Sequence, residues 1–270
     1  MIFHEVGHAV APTITDDFSA FLDPEFEQEP DNEQEPDDDS RLDVMARNIR
    51  FVECANRWIT ELLSDAIAVA LAGPAYVAAF ARLLSGFFAL ETATATHPPT
   101  ALRIRLMCKQ LGSSTVLGGY EPRTIDLIQS WQSTCDALHE AKSYAPDEGQ
   151  DDLEPLLGPL VRTAEKVHSA LVDAARDRVG DHAYREGFGK QDLVLAEMLV
   201  QLGIPPIERQ DWGEPLTHGS PLSPARIFSV CWSAYSLDTS PPDVRARRYG
   251  RALLESLDAS EALRRWIQTK

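Results

Sequence analysis

Basic charge is missing from one stretch near the start of the chain. Residues 16–40 hold 12 Asp or Glu and no Lys or Arg. Most of the formal charge of −17 is therefore local: without this tract 30 acids face 25 bases, a balance of −5. A basic stripe is also lacking, so no nucleic-acid partner is expected, and nothing favours an anionic membrane surface. Long apolar runs are absent too. The most apolar stretch, AIAVALAGPAYVAAFA (residues 66–81), is short for a membrane span and interrupted by Gly-Pro, so a buried helical hairpin is expected instead. The start has no basic region followed by a long apolar run, so no signal peptide is expected. Cysteine is sparse. Cys54, Cys108, Cys135 and Cys231 form no CxxC pair and read as buried free thiols of a reducing, cytoplasmic compartment.

What is present describes a globular, mostly helical protein. With 270 residues, 44% hydrophobic and 25% charged, the chain can build one large domain or two modest ones. Residues 1–11 are helix-compatible, and Pro12 ends that run. DPEFEQEPDNEQEPDDDS (23–40) repeats EQEP, has no periodicity, and reads as a disordered acidic loop. From Arg41 to Gly73, Leu42, Met45, Ile49, Val52, Ile59, Leu62 and Ala66 recur at helical spacing. They predict a long amphipathic helix that turns apolar all round and runs through the centre of the fold. A second apolar helix is expected from Pro74 to about Leu90, then one after His97-Pro98-Pro99, and another over 122–143. YAPDEGQDD (144–152) reads as a linker between a domain at 1–143 and a helical domain at 153–270. In the latter, helices are expected near 153–178, 189–202, 222–237 and 242–268. No strand is expected, and the fold class is all-α.

One pentapeptide carries chemistry. His4-Glu5-Val6-Gly7-His8 has the form HExxH. On a helix, two histidines at i and i+4 share a face and can hold one ion, with the intervening glutamate beside the metal's water. Alone, the string reads equally as an exposed N-terminus with two surface histidines. The long helix supplies a second element, ELLSD, in which Glu61 and Asp65 are again one turn apart. Such a pair is usually a solvated edge, but here Trp58, Ile59, Leu62, Leu63 and Ala66–Ala72 flank it. Buried carboxylates need partners, and a cation is one.

HExxH followed by ExxxD resembles the gluzincin metallopeptidases. ATHPPTALRIRL (95–106) resembles the THPP-x-x-x-R-I segment of the family containing the bacterial heat-shock membrane protease and the CAAX prenyl proteases. The likeness covers roughly residues 1–111. It implies Zn²⁺ held by His4, His8 and Glu61, with Glu5 as general base. It makes Asp65 the group that orients a ligating histidine, and His97 a cleft residue stabilising the oxyanion, where the residue alone reads also as a helix-capping histidine. Arg103 would pair with Asp65 or a neighbouring acid. Arg105 has no counterpart and is expected as a surface charge. The implied activity is hydrolysis of a peptide or protein substrate by a zinc-activated water.

Three departures shape that expectation. Relatives in membranes have several spanning helices, and none is expected here. Gluzincins carry a small sheet before HExxH, whereas three residues precede His4, so the chain is expected to be N-terminally truncated: either coding sequence upstream of Met1 supplies the missing strands, or the substrate platform has been lost. His4 also falls in the first helical turn, where helices fray. A second hypothesis is a non-catalytic helical interaction protein keeping a structural or remnant zinc site. The second half has no catalytic constellation. His139, His168 and His182 read as surface or core residues, and DWGEPLTHGSP (211–221) as a connecting loop. The C-terminal helices are a candidate surface for a protein partner. RARRYGR (245–251) is a candidate dock for the acidic tract.

Overall fold

The computed structural model describes residues 2–10, 38–84, 89–112, 120–185, 188–203, 206 and 222–268. Among them the chain forms nine helices: α1 (Ile2–Val10), α2 (Asp38–Ala72), α3 (Pro74–Leu84), α4 (Thr100–Gly112), α5 (Pro122–Glu140), α6 (Glu154–Val179), α7 (Phe188–Leu202), α8 (Pro224–Leu237) and α9 (Pro242–Gln268). The fold is all-α, as composition and periodicity indicate. One small exception corrects the expectation of no strand: β1 (Thr92–Ala93) pairs in parallel with β2 (Ala145–Pro146). None of the described helices is long and apolar enough to cross a membrane.

Two compact units share these elements. The first comprises residues 1–68, 82–107 and 131–178, and the second residues 69–81, 108–130 and 179–270. Both are assembled from separated stretches of chain. Residues 144–152, expected as a linker, lie within the first unit. There Ala145–Pro146 pairs with β1, and the Gln150 side-chain oxygen accepts the Ala95 N–H at 2.8 Å. The acidic tract up to residue 37 and the loop at 211–221 lie outside the described residues, and α2 begins at Asp38.

In the first unit the long helix behaves as its sequence indicates near its end. Every residue from Glu61 to Asp65 is buried, as are Trp58 and Ile59. Full burial of one large apolar side chain contributes about 1.5–3 kcal/mol, so this segment is a strong anchor. The beginning of α2 differs. Met45 and Ile49 belong to the expected apolar stripe but are exposed, and the inward face starts at Phe51, Cys54 and Ala55. Leu90, expected as helical, lies in a turn, and its carbonyl accepts the Ala101 N–H.

In the second unit, Gly73 ends α2. Its φ of +58° and the bond from its N–H to the Val69 carbonyl close the last turn. Pro74 then starts α3, where its missing N–H costs nothing. Helix α8 packs on α7 and α9 around Ala196, Leu222, Ile227, Val230 and Tyr249. Arg226 and Asp192 form a buried ion pair between α8 and α7, at 2.8 Å.

Candidate metal centre

The first unit gathers every residue of the two carboxylate–histidine motifs. Helix α1 carries His4 and His8 one turn apart, His4 buried and His8 half-buried, while Glu5 and Val6 are exposed. Gly7 is buried on the Ser64 backbone of α2, where a side chain would collide with it. This close approach sets both histidines over Glu61 and Asp65.

Their ring nitrogens converge. Nε2 of His4 and Nε2 of His8 are 2.9 Å apart. Glu61 offers Oε1 to His8 Nε2 at 3.1 Å and Oε2 to His4 Nε2 at 3.3 Å. Among the described residues these three side chains form the group able to hold a metal ion, with ligand atoms all within 4.8 Å of one another. Donor atoms of a tetrahedral zinc site, at 2.0–2.2 Å from the ion, are separated by about 3.3–3.6 Å. The His4–His8 and His8–Glu61 separations are tighter by a few tenths of an ångström and the His4–Glu61 separation falls at the edge of that range, so a small outward rotation of the side chains admits the ion. Two histidines and a carboxylate are also a donor set that zinc accepts.

Behind the three donors stands an ion-paired layer. Arg103 of α4 clasps Asp65 with two parallel bonds, Nε to Oδ2 at 2.7 Å and Nη2 to Oδ1 at 3.0 Å. Its Nη1 lies 3.2 Å from Glu61 Oε2. His4 Nδ1 lies 3.0 Å from Asp65 Oδ1. The ion pairs around Glu61 Oε2 and His4 Nδ1 are close but badly aligned, so both buried atoms lack a directed hydrogen bond. An under-satisfied carboxylate oxygen beside the His4 imidazole, on a side chain whose other oxygen meets His8, fits a cation.

Protonation follows from these contacts. Burial works against a charged His4, but the Asp65 and Glu61 carboxylates outweigh it and raise its pKa to about 9. Burial likewise opposes ionised Asp65, yet Arg103 and His4 hold it well below the usual carboxylate range. Glu61 is lowered too, against its burial, by His4, Arg103 and His97.

His97 precedes α4 and is exposed, with Nε2 3.6 Å from Glu61 Oε1. Its loop is held from several sides. The Thr94 hydroxyl accepts the His97 N–H at 2.9 Å, and the His97 carbonyl accepts the Thr94 N–H at 3.0 Å. Trp58 Nε1 donates to the Thr94 carbonyl at 2.9 Å. His97 Nδ1 is 2.8 Å from the Thr96 hydroxyl.

His4, His8, Glu61, Asp65, Arg103 and His97 thus come together, and Glu5 follows His4 on α1 with its side chain exposed. Arg105 is corrected: it is partly buried and pairs with Asp136 and Glu165, the latter also 3.4 Å from His139. In the second unit the basic run 245–251 finds local partners, with Arg247 on Asp243, Arg248 on Asp238 and Arg251 on Glu255. Sequence reasoning missed Ser64, Thr94 and Gln150, and placed Trp58 only as an apolar neighbour of the carboxylates, without its bond to Thr94. A small residue beside Asp65 facing the glycine of HEVGH was the one available signal for Ser64; nothing local marks Gln150. Comparison with protein-family models, with curated proteins and with solved structures yields no match.

Proposed function

We propose that the chain is a zinc-dependent, gluzincin-type metallopeptidase that hydrolyses peptide bonds in a peptide or protein substrate. The observation that carries this reading is the convergence of His4, His8 and Glu61 donor atoms. The Asp65–Arg103 pair beside them is the support a ligating histidine needs. A zinc ion held there would supply Lewis acidity and a water whose pKa is lowered to about 7. Glu5, next to His4 and solvent-facing, would accept a proton at its carboxylate and return it to the leaving amine. His97 Nε2, open to solvent beside Glu61, would donate to the oxyanion that develops on the substrate carbonyl. Arg103 keeps Asp65 ionised, and Asp65 in turn holds His4. Four free, buried cysteines suit a reducing, cytoplasmic compartment.

One observation favours a second reading. The negative charges of Glu61 and Asp65 are balanced by Arg103 and a protonated His4, so the cluster can persist as a purely ion-paired remnant in a non-catalytic interaction protein. Metal analysis of the purified full chain separates the two. The peptidase reading requires about one zinc per chain, lost in Glu61→Ala and retained without hydrolysis in Glu5→Gln. Full-length protein that takes up no supplied zinc establishes the remnant.

A further inference from the structure

Ser64 lies between Glu61 and Asp65 in sequence, and its hydroxyl reaches the Thr60 carbonyl and the His8 ring. Its hydroxyl proton has a destination already: Oγ donates to the Thr60 carbonyl, one turn back, at 2.8 Å. The same Oγ lies 3.3 Å from His8 Nδ1. A hydroxyl has one hydrogen to give and two lone pairs to offer. With the hydrogen directed at Thr60, Ser64 can meet His8 only as an acceptor. The shared hydrogen therefore belongs to Nδ1, and a neutral His8 keeps its lone pair on Nε2.

From this geometry we propose that Ser64 is the positioning residue of His8, presetting the tautomer that binds a divalent ion. The inference rests on the metal-centre reading above and extends it to Ser64, at a position that the spacing of Glu61 and Asp65 leaves unspecified. Histidine without such a partner can carry its hydrogen on either nitrogen, and the bond made by one nitrogen decides the role of the other. Here Nε2 is the atom that faces His4 and Glu61. An Nε2–H form would aim a hydrogen at the ion's position. In the Nδ1–H form, His8 Nε2 and Glu61 Oε1 are two acceptors 3.1 Å apart, a contact that a cation between them turns from repulsion to attraction. The mixed imidazole and carboxylate set selects a transition ion such as zinc over magnesium or calcium, which prefer oxygen throughout.

The two histidines are thus held by different means from one helix. His4 takes a charged partner, Asp65, through Nδ1, and His8 takes a neutral one, Ser64. Gly7 makes the contact possible, because a Cβ there would stand 2.8 Å from the Ser64 Cβ.

The test uses full-length protein, stripped of metal, and two-bond proton–nitrogen NMR spectra of the histidines at mildly alkaline pH. The wild-type chain should show His8 as the Nδ1–H tautomer, and Ser64→Ala should shift it toward Nε2–H with helix content unchanged. Zinc affinity, measured by chelator competition, should fall about tenfold or more in Ser64→Ala. An Nε2–H tautomer in the wild type, or a tautomer and affinity indifferent to Ser64→Ala, overturns the assignment. A tautomer shift in a chain that binds no zinc supports Ser64 as the orienting group while removing the peptidase reading.

Discussion

Gly7 and Ser64 meet backbone to backbone: a Cβ built on Gly7 would lie 2.5 Å from the Ser64 Cα and 2.7 Å from its carbonyl oxygen. Neither obstacle is a side chain that could swing away, so Gly7→Ala must push α1 off α2. Overpacking of this kind costs about 1–3 kcal/mol. The larger effect should fall on the metal centre, because His4 and His8 travel with α1 while Glu61 stays. Urea unfolding and zinc titration of Gly7→Ala check this. Full stability with wild-type affinity would show that the helices do not cross here.

Arg103 answers both buried carboxylates. Replacing it with leucine leaves Asp65 and Glu61 with His4 as the nearest cation, and breaking such a buried pair costs about 3–5 kcal/mol. Arg105, two residues on, points to partly exposed acids, and Arg105→Leu should cost about 1 kcal/mol or less. The contrast between the two denaturation midpoints is the measurement. Equal losses would mean that Arg103 contributes no more than a surface pair.

Stability of the metal-free chain should peak in mildly acidic solution. The folded pKa of His4, about 9, lies above its ordinary 6.5. A raised pKa contributes stability that is complete below 6.5 and is lost as pH climbs through 9. Glu61 and Asp65 are lowered from 4.5 and 3.8, so their contribution is present above those values and disappears as pH falls through their folded pKa values. Unfolding midpoints should therefore decline on both sides of a maximum at about pH 5–6.5. His4→Gln should flatten the alkaline side. An alkaline decline that survives His4→Gln assigns it to another group.

Much of this was legible because helices are local objects. Gly73-Pro74 marks the end of α2 through backbone geometry alone, and the i, i+4 spacing of His4 with His8 and of Glu61 with Asp65 already puts each pair on one face. Burial was less legible. Met45 and Ile49 continue the apolar stripe of α2 in sequence, but a stripe specifies only a face and not what covers it. The β1–β2 pairing and the Gln150 bond to Ala95 join segments some fifty residues apart, and two-residue strands carry no periodicity to read. Arg105 escaped for a similar reason: its acids lie on α5 and α6.

Trp58 shows how such a distant contact bears on the chemistry. Its indole N–H is the side-chain donor to the Thr94 carbonyl, and Thr94 anchors the His97 backbone at both N–H and carbonyl. Trp58→Phe keeps an aromatic ring in the core and removes that donor. The Thr94 carbonyl then seeks another partner, and the loop shifts His97 away from Glu61, while His4, His8 and Glu61 keep their places. Zinc stoichiometry should be unchanged, whereas kcat/KM for peptide hydrolysis should drop on the order of 10- to 100-fold, the scale of a misplaced catalytic group. Joint loss of zinc and activity would instead make Trp58 a support of the whole centre, and unaltered hydrolysis would remove His97 from the reaction.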